Sequence, residues 1–326
     1  MGQTESSGAG ESDERNPWGP TYTDEKDGAT KKRVVLITGG NSGLGFESAR
    51  SLLVTGFRVI IACRSKEKAE AACAALREKT GAADGDISYS ILDVSSLSSV
   101  KSFAEEFLAD PSNLVHVLMC NAGIMMGPKR VTPEGYDLQL ATNYLGHFLL
   151  VEKLRERLIA SKPARVIFVS SIAARFGHVH WGNINFSTPK DEDYSSLGAY
   201  QQSKLLQVIH SRELANRLKG TGVTSNSCEP GVVKTNLSKG ITNSPAMRRR
   251  LENGTSVEEG ALTQIKLAAD ASCSGISGQH WEKCSIISQG FSKFKFLIAA
   301  HDLRASVGPR LFDFTEKLLK DPTYSE

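Results

Sequence analysis

A tyrosine and a lysine stand four residues apart in the stretch AYQQSK, residues 199–204. On a helix this spacing places Tyr200 and Lys204 on one face, so both side chains could act on the same small volume. A phenol can pass a proton to a carbonyl oxygen, and a neighbouring ammonium can lower the pKa of that phenol. By itself the pair is more typical of a solvated helix face, so its meaning depends on the rest of the chain.

A glycine-rich stretch, TGGNSGLG at residues 38–45, follows directly after the apolar run RVVLI. Gly39, Gly43 and Gly45 permit a tight turn, a close approach of the backbone to a pyrophosphate and close packing of a helix on a strand. A phosphate would lie at the N-terminus of the helix that follows. A strand, a turn and a helix in this order favour dinucleotide binding over a structural turn.

The second apolar run ends in IIACRS, which contains Arg64 and no acidic residue before Glu67. An acid at this place usually accepts a hydrogen bond from the ribose 2′-hydroxyl of NAD(H), whereas an arginine accommodates the 2′-phosphate of NADP(H). The sequence therefore favours NADP(H) as the cofactor. The alternative is a surface arginine paired with a neighbour, and the next candidates for reading the 2′-position are Asn41, Ser42 and Lys66.

Short β-branched runs alternate with longer amphipathic stretches from Lys31 onward. This alternation predicts an α/β fold of the Rossmann type, a single doubly wound parallel sheet with helices on both faces. Residues 1–30 are rich in Gly, Ser, Thr and acids, so we expect a mobile polar tail there. Residues 31–326 are expected to form one dinucleotide-binding domain, which includes a lid at residues 236–260 and a C-terminal extension.

The composition excludes several classes of protein. The net charge is +3 and the basic residues are spread along the chain, so no nucleic acid partner is indicated. No apolar run reaches the length of a transmembrane span. The six cysteines lack paired short spacings, which is consistent with a reducing, cytoplasmic location. His178 and His180 have no third ligand nearby, so we expect no metal and place both histidines at the mouth of a substrate pocket.

The N-terminal sequence MGQTES fits the acceptor pattern for N-myristoylation at Gly2. One acyl chain gives only marginal membrane binding, and the acidic residues that follow provide no basic helper. Contact with a membrane surface is expected only if Gly2 is acylated. A homodimer is compatible with the sequence, which does not indicate an oligomeric state.

Seven motifs occur in the order seen in the short-chain dehydrogenase/reductase family, and the chain resembles that family from Lys31 almost to its end. The motifs are TGGNSGLG, LDV (92–94), CNAG (120–123), ATNYLGHF (141–148), FVSS (168–171), YQQSK (200–204) and EPGVVKT (229–235). The segments ACR, SRELANRLKGTGV and SGQHWEKC, with a long loop before Tyr200, are similar to the branch of the retinol dehydrogenases and the WW-domain oxidoreductase. CNAG departs from the commoner NNAG at a position where we expect little effect.

The resemblance implies four catalytic residues, Asn143, Ser171, Tyr200 and Lys204. Tyr200 would be the general acid/base, and Lys204 would lower its pKa and hold the nicotinamide ribose. Ser171 would donate a hydrogen bond to the substrate oxygen, while Ser170 should point the other way by strand alternation. Asn143 would hold a water against the lysine.

The resemblance also implies the contacts of NADP(H). Asp93 would accept from the adenine amino group, and the loop at residues 230–235 would meet the nicotinamide carboxamide and the pyrophosphate. The full expected set is Gly39, Asn41, Ser42, Gly43, Leu44, Gly45, Arg64, Asp93, Val94, Asn121, Ala122, Gly123, Tyr200, Lys204, Pro230, Gly231, Val233 and Thr235.

The implied activity is the NADP(H)-dependent interconversion of a carbonyl and an alcohol. The expected substrate is apolar, such as a retinoid, a steroid or another lipid-like aldehyde or ketone. Two alternatives stay open. One is a catalytically silent scaffold or sensor that keeps the dinucleotide fold, and the other is a reductase of carbon–carbon double bonds from the same family.

Overall fold

The computed structural model describes residues 18–24, 28–187, 193–235, 237, 249, 253–287 and 304–324. Within these ranges the strands are β1 (Thr21–Thr23), β2 (Thr30–Lys32), β3 (Val34–Thr38), β4 (Arg58–Cys63), β5 (Ile87–Ile91), β6 (Val117–Cys120), β7 (Ala164–Val169), β8 (Val223–Glu229), β9 (His280–Glu282) and β10 (Ser285–Ile286). The α-helices are α1 (Gly43–Val54), α2 (Lys66–Thr80), α3 (Leu97–Ala109), α4 (Leu138–Leu140), α5 (Gly146–Ala160), α6 (Ser196–Arg217), α7 (Val257–Ala269) and α8 (Val307–Leu318).

The central sheet has the strand order β10-β9-β8-β7-β6-β3-β4-β5. All neighbouring strands of this sheet pair in parallel except β10, which is antiparallel to β9. The predicted doubly wound α/β fold is confirmed, whereas the short edge strands β9 and β10 were not predicted. From β3 the chain adds β4 and β5 toward one edge of the sheet, and from β6 it adds β7 and β8 toward the other edge. In such sheets ligands bind at this switch point between β3 and β6, beyond the carboxyl ends of the strands.

Both faces of the sheet are covered by apolar side chains. Val35 and Ile37 of β3 lie in the core cluster that also contains Leu52 of α1. Their neighbours Val34 and Leu36 lie in the cluster on the other face, with residues of α3, α5 and α6. Successive side chains of β3 are thus buried on opposite faces of the sheet, which explains its continuous apolar sequence.

The C-terminal helix α8 belongs to the domain. Its Phe312 is 3% exposed and packs against Phe148 of α5, with 4.8 Å between the ring centroids. The Tyr136 hydroxyl donates a hydrogen bond of 2.8 Å to the Leu318 carbonyl oxygen. These contacts cover the outer surface of α5 and of α6, the helix that carries Tyr200 and Lys204.

The folded domain begins earlier than the sequence predicted. Trp18 is 6% exposed, and its indole Nε1 donates a hydrogen bond of 3.1 Å to the Ala268 carbonyl oxygen. The guanidinium of Arg165 lies 3.6 Å from the centroid of the Trp18 ring. β1 then pairs with β2. The expected boundary at residue 30 is therefore too late, because one buried indole outweighs the polar composition of its segment; residues 1–17 lie outside the described residues.

Replacing Trp18 should test this boundary. We expect Trp18→Ala to lower the free energy of unfolding by about 3–5 kcal/mol, because it removes a buried aromatic side chain and leaves a cavity. Val54→Ala is the control, since Val54 is 62% exposed on α1 and should change stability little. The measurement is urea unfolding of the full chain, and equal midpoints for the two variants would place Trp18 outside the cooperative core.

Candidate active site

A cavity of about 870 Å³ opens at the carboxyl ends of the parallel strands. Every residue of the expected cofactor set lines it, as do three of the four expected catalytic residues, Ser171, Tyr200 and Lys204. Asn143 stands just behind the lining, where it contacts the backbone of Ile124. Residues that are distant in sequence are thus brought together, as the motifs predict.

The glycine loop has the conformation that a phosphate-binding turn requires. Gly39 and Gly43 have positive φ values of 67° and 55°, where a side chain would be strained. A Cβ on Gly45 would lie 2.5 Å from the Gly39 carbonyl oxygen, so only glycine permits this close packing. Ser42 makes no side-chain capping bond to α1. The first-turn N–H groups of α1 therefore lack this side-chain acceptor at the cavity, which suits an anion.

The hydroxyl of Thr38, at the end of β3, joins the glycine loop to the neighbouring strand. Its Oγ1 accepts hydrogen bonds from the backbone N–H groups of Asn121 at 2.9 Å and Ala122 at 3.0 Å. It lies 2.9 Å from Nε2 of His147, whose Nδ1 is 3.3 Å from the Asn143 carbonyl oxygen. Burial lowers the pKa of His147 to about 4, so the ring is neutral. Neither Thr38 nor His147 was predicted as a site residue, although both lie in quoted motifs.

Asn143 lies in a π-helical turn, Ala141–Leu145, between α4 and α5. Its side-chain amide donates to the Ile124 carbonyl oxygen at 3.0 Å and to Ser203 Oγ at 2.9 Å. Its Oδ1 accepts from the Ile124 N–H at 2.9 Å. Asn143 thus ties the loop after β6 to α6, and its expected role in holding a water stays a prediction.

Ser170 and Ser171 follow β7 and both line the cavity, so the expected opposite directions of their side chains stay a prediction. Ser170 is buried and donates a hydrogen bond of 2.7 Å to the Lys204 carbonyl oxygen. Ser171 lines the cavity together with Tyr200, and its Oγ accepts from the Ala173 N–H at 3.2 Å. The residues Ser171 and Tyr200 therefore give the cavity a polar region.

Burial raises the pKa of Tyr200, and the Ser171 hydroxyl offsets only part of that rise. The expected lowering of this pKa by Lys204 stays a prediction. Burial also lowers the pKa of Lys204 to about 7. The lysine Nζ donates to the Val169 carbonyl oxygen at 2.9 Å and to Gln207 Oε1 at 3.0 Å. Desolvation therefore shifts both groups toward their neutral forms.

The cation set at the other end of the cavity differs from the expected one. Arg64 lines the cavity together with Lys68, which had not been predicted. Lys66 is outside the lining and lies 4.0 Å from Glu70, with both side chains exposed. Ser65 caps α2, since its Oγ accepts from the Lys68 N–H at 3.3 Å. Lys68 lines the cavity in place of the expected Lys66 because residues two apart on a helix point to different sides of it.

The wall beside Ser171 is apolar. It is formed by Ile124, Met125, Met126, Ile172, Phe176 and Leu197. His178 and His180 are not among the lining residues, which corrects their expected place at the mouth. Most of the expected lid at residues 236–260 lies outside the described residues, although Leu237 does line the cavity.

The comparisons with known proteins agree with this geometry. A model of the family described as short chain dehydrogenase matches residues 33–190. Among solved structures, the RhlG/NADP active-site complex of Pseudomonas aeruginosa is 26% identical with a TM-score of 0.59, covering 76% of this chain and 93% of that one. A protein of Mycobacterium paratuberculosis is 28% identical with a TM-score of 0.62, covering 86% and 93%.

Two curated relatives match most of the chain. Retinol dehydrogenase 14 of Mus musculus is 37% identical over 301 residues, which is 88% of this chain and 86% of that protein. Retinol dehydrogenase 12 of Homo sapiens is 40% identical over 253 residues, or 77% and 78% of the two chains. The chain therefore belongs to the short-chain dehydrogenase/reductase family of oxidoreductases, in its retinol dehydrogenase-like branch.

Proposed function

We propose that this protein is an NADP(H)-dependent oxidoreductase that interconverts a carbonyl and an alcohol on an apolar substrate, with Tyr200 as general acid/base. The observation that carries the proposal is that Ser171, Tyr200 and Lys204, from separate parts of the sequence, line one cavity together. The apolar wall next to them suits a retinoid, a steroid or another lipid-like aldehyde or ketone, and the names of the relatives support the first of these.

The cavity fits a dinucleotide with a 2′-phosphate. The glycine loop and the first turn of α1 would hold the pyrophosphate, while Arg64 and Lys68 would meet the 2′-phosphate. Asp93 would face the adenine, and the remaining members of the expected set would hold the riboses and the nicotinamide. When bound, NADP(H) supplies or accepts the hydride.

Each polar side chain then has a separate task. Ser171 and Tyr200 both donate hydrogen bonds to the substrate oxygen, and Tyr200 transfers the proton. The raised pKa of Tyr200 keeps its phenol protonated, so it is ready to donate when a carbonyl is reduced. Lys204 stabilises the phenolate that results, and Asn143 holds the backbone around the lysine. The apolar wall excludes water, which strengthens these interactions.

Removing the phenolic hydroxyl should abolish most of the turnover. We expect Tyr200→Phe to lower kcat by about 10²–10⁴-fold, the usual contribution of general acid–base catalysis, with NADPH binding retained. The measurement is a screen of the purified protein with NADPH against retinoids, steroids and small carbonyls, followed by kinetics on the best substrate. Tyr89→Phe is the control, since Tyr89 lies on β5 and hydrogen-bonds Glu70.

Three outcomes separate this proposal from its rivals. Near wild-type turnover of Tyr200→Phe would refute the role of Tyr200. Tight NADPH binding without turnover on any carbonyl or alcohol would favour a scaffold or sensor. Reduction of a carbon–carbon double bond alone would favour the second enzymatic alternative.

Reversing the charge at Arg64 should reverse the cofactor preference. Loss of a charged contact costs roughly 1.5–3 kcal/mol, or about one to two powers of ten in affinity. Arg64→Asp should exceed this, because a carboxylate repels the 2′-phosphate and offers an acceptor to the 2′-hydroxyl of NADH. The measurement is the ratio of kcat/KM with NADPH and with NADH. Arg58→Asp is the control, since Arg58 is exposed at the opposite end of β4; a ratio equal in both variants would contradict the assignment.

We propose a cytoplasmic protein that reaches a membrane surface only through acylation of Gly2, a residue outside the described part of the chain. No helix in the described ranges combines the length and the apolar character needed to cross a bilayer. In a cell with N-myristoyltransferase, the intact protein should carry one acyl chain that Gly2→Ala abolishes. Mass spectrometry decides this, and an unmodified wild-type N-terminus would refute the acylation.

A further inference from the structure

We propose that Gln207 is a positioning residue for Lys204, and that its side-chain amide can hydrogen-bond the lysine amine in both protonation states. The inference about the hydrogen bond stands on the geometry of α6. Its importance for catalysis rests on the function proposed above, in which Lys204 supports Tyr200.

The contact between Lys204 and Gln207 is direct and buried. Lys204 and Gln207 are one turn apart on α6, and they are 4% and 0% exposed. Lys204 Nζ donates to Gln207 Oε1 at 3.0 Å and to the Val169 carbonyl oxygen at 2.9 Å. An ammonium has only donors, so the charged lysine requires the oxygen of the amide to face it.

The other end of the same amide lacks a partner. Gln207 Nε2 is buried and makes no hydrogen bond to the described residues. An unsatisfied buried donor costs about 1–3 kcal/mol, and such a group in a native structure requires an explanation. A half-turn of the amide would exchange its oxygen and its nitrogen. Nε2 would then donate to Lys204, whose nitrogen can accept a hydrogen bond only when it is neutral.

Within the described part of the chain, the titratable groups beside Lys204 on α5, α6 and β8 offer no counter-charge that would hold it in one state. Tyr200 on α6, His147 on α5 and Cys228 on β8 are all buried. Burial raises the pKa of Tyr200, lowers that of His147 to about 4 and raises that of Cys228 to about 12, so all three are neutral near pH 7. The next residue of β8, Glu229, is already ion-paired with an arginine.

Burial lowers the pKa of Lys204 to about 7, so both of its states are populated at neutral pH. The neutral amine keeps two N–H donors and gains a lone pair, for which a residue that only accepts offers no hydrogen bond. The glutamine amide provides both functions, so Lys204 can change its charge during turnover and keep its hydrogen bond.

The test measures the titration of Lys204 itself. The full-length chain is labelled with ¹³C at lysine Cε, and the Lys204 signal is assigned by its loss in Lys204→Met. Gln207→Glu should move the titration midpoint up by about one pH unit or more, because a carboxylate stabilises the ammonium. Gln207→Met should move it down, since the thioether is a weak acceptor. The same order is expected in the pH dependence of kcat.

Gln202→Met is the matched control. Gln202 is buried on the same helix, but its amide bonds the Ile184 carbonyl oxygen and the His180 N–H, so its loss should leave the Lys204 midpoint unchanged. If Gln207→Met does not fold, the near-isosteric Gln207→Glu decides alone. A Lys204 midpoint that Gln207→Glu does not move overturns the proposal. Shifted midpoints in a protein that turns over no substrate would support the pairing and refute the proposed function instead.

Discussion

The hydroxyl of Thr38 is the interaction on which the arrangement of the site depends. It accepts two backbone N–H groups at the end of β6 and contacts the ring of His147, which in turn reaches the Asn143 carbonyl oxygen. Asn143 then bonds the loop after β6 and Ser203 on α6. A single set of buried hydrogen bonds thus fixes the glycine loop, β6, the turn that bears Asn143 and the helix α6 relative to one another.

Burial is the second constraint, and it has opposite effects on the two central side chains. Desolvation raises the pKa of Tyr200 and lowers that of Lys204, since each shift favours the neutral form. A neutral phenol beside an amine with a lowered pKa suits the proton transfer proposed above. The same desolvation demands hydrogen-bond partners for every polar group, which gives Ser170 and Gln207 their importance.

Much of the fold and of the candidate site could be predicted because the signals are local. The apolar runs predict the strands, and the reversal of strand order places their carboxyl ends at one cavity. Trp18 and Lys68 were missed for two different reasons. Trp18 is one aromatic residue in a polar segment, and its burial depends on Arg165 and Ala268, far along the chain. Lys68 differs from Lys66 only in the direction it takes from α2, which depends on where that helix begins.

The sequence by itself determined the features that follow from local sterics and spacing. Glycine occupies the positive-φ positions of the loop, and Tyr200 and Lys204, four residues apart on one helix, line the same cavity. Only the tertiary structure decided the electrostatics. The pKa of Tyr200 is raised because the depth of burial and the partners of each polar atom come from distant segments. Side-chain spacing along a helix carries no information about the solvent that the fold removes.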